Sequence, residues 1–131
     1  MELTVQTQHR WSVVLVVPVE EDVVAIAREF DPTDINLPGG WDEYTDLTPA
    51  DTAKRELLEE TGLQAKAFEL IDYWENKNKS ITYVYKITLW TGKLRSSCAG
   101  KTFLAKRDQF CKEECTFSKY NKRALDKIRL S

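Results

Sequence analysis

The 131-residue chain, 15.2 kDa with 42% hydrophobic and 31% charged residues, has the make-up of one compact domain over 1–131, which excludes a disordered, fibrous or multidomain protein. Its longest apolar run, Val13–Val19, is broken by Pro18 and falls far short of the ~20 residues of a membrane-spanning helix. Met1–Arg10 lacks the basic-then-apolar order of a secretion signal, so the expectation is a cytoplasmic protein with no membrane partner. The net charge of −2 hides a split: residues 1–65 carry 14 acidic and 4 basic side chains (−10), residues 66–131 carry 7 and 15 (+8). Such a dipole suits an acidic cluster that holds a divalent cation and basic groups that meet an anionic substrate.

In chain order, Trp11–Val17 is a β-branched run suited to a buried strand, and Val23–Ala27 reads as its hairpin partner across the polar Glu20-Glu21-Asp22. Asp31–Asp34 reads as a loop, Ile35–Leu37 as a short extended piece, and Pro38-Gly39-Gly40 as a tight turn using glycine's conformational freedom. Thr48 is placed as an N-cap with Pro49 at the first helical position and Asp51 at the positive helix end, and the helix should close near Thr61 on a left-handed Gly62. Gln64–Trp74 and Ser80–Trp90 alternate like strands around a polar hairpin loop, Glu75–Lys79. A last strand near Lys101–Ala105 leads to a terminal helix from Ser118 to Leu130, with Ala124, Leu125 and Ile128 facing the core. Hairpins with interleaved helices predict an α/β fold, a mixed β-sheet sandwiched between helices. Cys98, Cys111 and Cys115 form no closed disulfide set, and the single histidine, His9, lies far from them in sequence, so three reduced thiols and no zinc site are expected.

The chemistry concentrates in Arg55-Glu56-Leu57-Leu58-Glu59-Glu60-Thr61-Gly62-Leu63. On a helix, Glu56, Glu59 and Glu60 stand three and four residues apart and project toward one side. Carboxylates so close repel, and a partly buried set calls for a cation whose hard-oxygen preference is that of Mg2+ or Mn2+. Leu37-Pro38-Gly39-Gly40 lies one loop upstream, where bare backbone can approach the same ion.

Together these residues resemble the Nudix box, G-x5-E-x7-R-E-U-x-E-E-x-G-U with U aliphatic: Arg55, Glu56, Leu57, Glu59, Glu60, Gly62 and Leu63 fill their positions, and Gly40 is the candidate opening glycine. Gly40 to Arg55 spans fifteen residues where the motif has fourteen. Counting back from Arg55 puts Leu47 at the first glutamate; counting forward from Gly40 puts Asp46 there, and Asp46 and Glu43 both remain candidates. The resemblance implies the Nudix-type α/β/α sandwich and metal-dependent hydrolysis of a nucleoside diphosphate linked to another moiety. It makes Glu56, Glu59, Glu60 and the Gly39 carbonyl metal ligands, Glu56 also a candidate base, and Arg55 the residue that orients the glutamates. Many relatives draw a further base from a loop outside the box; Ser97–Lys101 holds no acid, leaving Asp108, Glu113 and Glu114 as fallbacks.

For the substrate, Arg28 is read as a phosphate contact, Trp41, Tyr44 and Trp74 as base-stacking rings, and Asn121 as either a contact to a base edge or a cap of the terminal helix. The chain lacks the proline that ADP-ribose hydrolases of the family carry after the box, and Ser80 stands where dinucleoside polyphosphate hydrolases place a tyrosine. By elimination a nucleoside triphosphate, cleaved to monophosphate and pyrophosphate, leads over nucleotide sugars and dinucleotides. The competing class is a catalytically weak module binding a nucleotide or RNA, for which the altered loop and the basic terminal helix speak; prenyl diphosphate isomerisation ranks third. A homodimer follows only from the habit of the family.

Overall fold

The computed structural model describes residues 9–28, 31, 33–98 and 100–128. Strands β1 (Trp11–Val16), β2 (Pro18–Val19), β3 (Asp22–Arg28), β4 (Ile35–Asn36) and β5 (Gly39–Trp41) precede helix α1 (Pro49–Thr61). Strands β6 (Gln64–Glu75), β7 (Ile81–Thr91) and β8 (Gly100–Lys106) follow, then a 3₁₀ turn, Arg107–Cys111, and helix α2 (Ser118–Asp126).

Two four-stranded sheets result. One runs β5-β1-β7-β6, with β1 parallel to β7 and antiparallel to β5. In the other, β3 pairs along its whole length with β8, and its opposite edge is shared by β2 and β4. The expected hairpin of β1 with β3 is therefore corrected: the two strands lie in different sheets, and only Pro18–Val19 folds back, pairing with Val23 and Asp22. The chain changes sheet at Val17, whose carbonyl still accepts from the Val24 N–H at 3.1 Å.

Both faces of β1 are consumed. Val13 and Leu15 pack with Ala53, Leu57 and Leu63 beneath α1, while Val14 and Val16 join Phe110, Ala124, Leu125 and Ile128 beneath α2. This is why Val13–Val16 is an unbroken run of valine and leucine. It also makes the mixed α/β/α sandwich, with each helix closing one side. The terminal helix, expected from Ser118 to Leu130, ends at Asp126 with Lys127 as its C-cap, and the residues beyond Ile128 lie outside the described ones.

Helix α1 begins and ends where its sequence requires. Thr48 Oγ1 accepts from the Asp51 N–H at 3.2 Å, and the Asp51 carboxylate accepts in return from the Thr48 N–H at 3.1 Å, a reciprocal cap of the kind that contributes about 1 kcal/mol. Gly62, at φ 79°, closes the helix with its N–H on the Leu58 carbonyl. Helix α2 begins differently from one of the expectations: its N-cap is Phe117, and Asn121 sits inside the helix, buried.

The glycine pair before α1 is likewise corrected. Gly39 and Gly40 belong to strand β5, paired with Val14 and Val13, not to a turn. What excludes a side chain is space: a Cβ on Gly39 would stand 2.2 Å from the Val13 carbonyl oxygen, and one on Gly40 would stand 2.6 Å from the Glu56 carboxylate.

Candidate active site

The glycine strand and α1 meet so closely that the box glutamates lie against bare backbone. The Gly39 N–H donates to Glu60 Oε1 at 2.7 Å, and the empty Cβ position of Gly40 is filled by the Glu56 carboxylate. Glu56 and Glu60 are largely buried and Glu59 is exposed. What Gly39 gives to the glutamates here is its N–H; the role implied for its carbonyl concerns an ion.

Arg55 is the hub of this edge. Its Nη1 donates to Glu56 Oε1 at 2.8 Å and to Glu59 Oε2 at 3.2 Å, and its Nη2 donates to the Trp41 carbonyl at 3.0 Å. The rest of its fork faces Asp46, with Nη2 to Oδ2 at 2.8 Å and Nε to Oδ1 at 3.2 Å, the two-pronged geometry that carboxylates and guanidinium groups favour. Asp46 is 5% exposed and also accepts from Thr52 Oγ1 at 2.7 Å and from the Glu43 N–H at 2.9 Å. An isolated carboxylate at this depth would cost several kcal/mol, so four donors on two oxygens are what keep it ionised.

Of the two acidic candidates of the long box loop, Asp46 meets both prongs of Arg55, Glu43 adds an exposed ion pair at 3.3 Å, and Leu47, the residue found by counting back, is 82% exposed. Thr48 caps α1 directly after this loop.

Electrostatics follow the same geometry. Hydrogen bonding to Arg55 holds the Asp46 carboxyl well below the usual carboxylate range against the opposing effect of burial, and Asp46 in turn raises the affinity of Arg55 for its proton. Burial pushes Glu56 up, with Arg55 resisting. Glu60 is pushed up to about 8, first by burial and then by the charges of Glu56 and Glu59, although the Gly39 N–H resists. Two buried carboxylates that cannot both shed their protons next to each other are a site short of positive charge. Among the described residues no three carboxylate, histidine or cysteine side chains are gathered closely enough to enclose an ion on their own. Arg55 holds Glu56 and Glu59 while Gly39 holds Glu60. The donor chemistry nevertheless fits a hard divalent cation: carboxylate oxygens on one helix face, one pair of them carrying a proton that a cation would displace.

From this edge a cavity of about 1030 Å³ runs between the sheets, lined at one end by Gly39, Gly40 and Glu60 and at the other by Trp74, Phe117, Tyr120 and Asn121. Of the expected substrate contacts, Arg28, Trp41, Trp74 and Asn121 line it. Tyr44 does not: it is 93% exposed on the box loop. Trp41 stacks on His9 at 4.8 Å, and Arg28 lies over the Phe117 ring, 3.7 Å from Asp34. Trp74 packs against Tyr120 at 5.7 Å and under the Arg123 guanidinium at 4.5 Å, with its buried Nε1 lacking a hydrogen-bond partner. Asn121 donates through Nδ2 to the carbonyls of Phe110 at 3.1 Å and Ile35 at 3.5 Å, which fixes its amide orientation and turns Oδ1 into an acceptor. Asp108, Glu113 and Glu114 do not line the cavity.

Sequence reasoning missed Tyr120, Phe117 and Arg123, which reach the cavity only because α2 folds over it. Their i, i+3 spacing marks one helix face, but the same spacing serves any amphipathic helix.

A family model of the NUDIX domain matches residues 8–117, and no curated protein matches the sequence. Among solved structures, a MutT protein from Bacillus halodurans aligns with a TM-score of 0.70 at 22% identity, over 87% of this chain and 78% of its own. A MutT NUDIX hydrolase from Burkholderia pseudomallei aligns at 0.70 and 16% identity, over 90% and 98%. An ADP compounds hydrolase aligns at 0.71 and 15% identity, over 93% and 72%. At such identities the likeness is one of fold.

Proposed function

Since the chain belongs to the Nudix hydrolase family and so acts on phosphoric anhydride bonds of nucleoside diphosphate-linked compounds, we propose that its substrate is a nucleoside triphosphate, split to the monophosphate and pyrophosphate. The observation that carries this reading is the cavity that joins the glutamate edge to a wall of aromatic rings and an oriented amide. Its volume lies at the upper end of the ~300–1,000 Å³ of ordinary ligand pockets, enough for one nucleotide with its phosphates. The base stacks on the Trp74 and Tyr120 side, and Asn121 Oδ1 accepts from an N–H on the base edge. Arg28 meets the phosphates, and Trp41 borders the entrance.

Glu56, Glu59, Glu60 and the Gly39 carbonyl would hold Mg2+ or Mn2+, which would supply positive charge against the developing negative charge of the leaving phosphate. Glu56 takes a proton from the attacking water; the oxygen adds to phosphorus, the anhydride P–O bond breaks, and pyrophosphate leaves with the bonding pair. Arg55, anchored by Asp46, fixes the carboxylates of Glu56 and Glu59. Asp46 also weakens the case for a module that has lost catalysis, since the altered loop still delivers a carboxylate to Arg55. Two cations of the basic helix are engaged in ion pairs, Lys122 with Asp126 and Arg123 with Asp72.

The test is product analysis by mass spectrometry on a panel of NTPs, dNTPs and nucleotide sugars with Mn2+, using wild type beside a Glu59→Gln, Glu60→Gln double variant. The expected result is pyrophosphate from a triphosphate and no turnover by the variant. Cleavage of a nucleotide sugar with no pyrophosphate from any triphosphate would replace this substrate by the nucleotide-sugar alternative.

A further inference from the structure

The box loop, residues 42–48, is one residue longer than its motif requires, and at the first acidic position it carries the shorter of the two acidic side chains. Asp46 has one methylene less reach than a glutamate, so its backbone must be held nearer Arg55 than a free loop would hold it. The structure supplies that hold from Arg10, just ahead of β1 and 32 residues before Asp42. Arg10 Nε donates to Asp42 Oδ2 at 2.8 Å, and its Nη2 donates to the carbonyls of Asp46 at 3.0 Å and Glu43 at 3.4 Å. One guanidinium thus ties three residues of the loop, and its plane rests 4.0 Å from the Trp11 ring.

Asp42, 7% exposed, has its buried carboxylate shared between the half-exposed side chains of Arg10 and His9, so the tie is anchored on its Asp42 side, where the carboxylate is held out of water. A second tie runs beside the first: Trp11 Nε1 donates to Thr52 Oγ1 at 2.8 Å, and that hydroxyl donates to Asp46 Oδ2 at 2.7 Å. The Asp46 carbonyl is held by Arg10 while its carboxylate is held by Thr52 and Arg55. From Arg55 the same network passes to Glu56 and Glu59.

We propose that Arg10 is a positioning residue of the hydrolytic centre: it clamps the elongated box loop so that Asp46 meets Arg55, and through Arg55 it sets the carboxylates that receive the metal ion. This rests on the metal role of Glu56, Glu59 and Glu60 proposed above. The physical expectation is graded, since outer-shell partners of metal ligands typically change metal affinity by about 10- to 100-fold and Arg10 stands two links beyond Arg55, through Asp46.

The experiment titrates Mn2+ alone into the metal-free protein and reads free Mn2+ by electron paramagnetic resonance, with melting temperature recorded in parallel. The variants are Arg10→Gln, Arg10→Lys, Asp46→Asn and the Arg10→Gln, Asp46→Asn double. Arg107→Gln serves as the stability control, since it removes a hydrogen bond to the Ile128 carbonyl far from the box. Arg10→Gln should weaken Mn2+ binding by about threefold to tenfold, Arg10→Lys should restore part of it, and the double variant should lose less than the product of the two single effects. Arg107→Gln should lower the melting temperature with Mn2+ affinity unchanged. Should Arg10→Gln not fold, Arg10→Lys carries the test, because it keeps the charge and loses the fork. Wild-type Mn2+ affinity in the Arg10 variant that folds, or single effects that simply multiply, would overturn the clamp while leaving the metal site standing. Unchanged Mn2+ affinity in Glu59→Gln with Glu60→Gln would overturn the clamp together with the metal site on which it rests.

Discussion

The two ends of the cavity are built in opposite ways. At the box end, the acidic groups and Arg55 come from a stretch of some twenty residues and are linked by short charged hydrogen bonds. At the far end, the wall is assembled from Arg28, Trp74 and the α2 residues Tyr120, Asn121 and Arg123, held by ring contacts and amide bonds to main chain. The first arrangement fixes charge within a rigid strand-loop-helix unit; the second fixes shape, and can change with few consequences for the first. The comparison assigns chemistry to one end and selection to the other, so variants at the two ends should divide between kcat and KM.

The largest effect is expected at the candidate base. Glu56→Gln should lower kcat by about 10²- to 10⁴-fold, the usual worth of general base catalysis, with KM for the triphosphate nearly unchanged; a comparable rise in KM would break the division. Asp46→Asn comes next. Exchanging a charged for a neutral acceptor should weaken Mn2+ binding by about 10- to 100-fold, and Asp46→Ala, which leaves the Nε and Nη2 edge of Arg55 and the Thr52 hydroxyl without their carboxylate partner while Glu56 and Glu59 still hold Nη1, should cost about 1–3 kcal/mol in denaturant unfolding. At the far end, Asn121→Leu should raise KM and alter the order of preferred bases while kcat on the best substrate persists. It also orphans the Phe110 and Ile35 carbonyls, with a stability loss of about 1–3 kcal/mol.

The pH dependence sharpens the contrast further. In the metal-free protein Glu60 holds its proton up to about 8, above its unfolded value. Its contribution to stability is therefore complete below the unfolded value and is lost as pH rises through about 8. Thermal unfolding without metal should show lower stability at alkaline than at neutral pH, and Glu60→Gln should flatten that decline. Asp46 has the opposite sign: its lowered value means stability that is present above the ordinary carboxylate range and lost as acid protonates it, so Asp46→Asn should blunt acid unfolding. The smallest effect belongs to Arg28→Gln. Its 3.7 Å pairing with Asp34 is partly exposed and contributes below about 1 kcal/mol, so the change should appear as a modest rise in KM with little loss of stability.

How much of this was legible in the sequence differs between the same two ends. The cap at Thr48, the left-handed Gly62 and the three glutamates of α1 follow from local rules that act within a few residues, and the structure has them where the spacing put them. The β6–β7 hairpin and the core positions Ala124, Leu125 and Ile128 were equally local. The pairing of β1 was not: an apolar run states that a strand is buried on both faces and says nothing about which strands flank it. Gly39 and Gly40 were recognised as necessary for the wrong reason, because close approach to Val13 and Glu56 is a contact between elements.

The sequence by itself determined the family and the placing of the glutamates along α1, because charge spacing on a helix and the turn preferences of threonine, proline and glycine act over short range. Only the tertiary structure decided that Asp46, and not Leu47, faces Arg55 across the lengthened loop. It alone decided that Arg10 reaches that loop from just ahead of β1, and that Asn121, which lines the cavity, commits its amide nitrogen to two carbonyls. Those facts depend on which segments a packed core brings side by side, and that is a property of the whole chain's burial, carried by no single stretch of it.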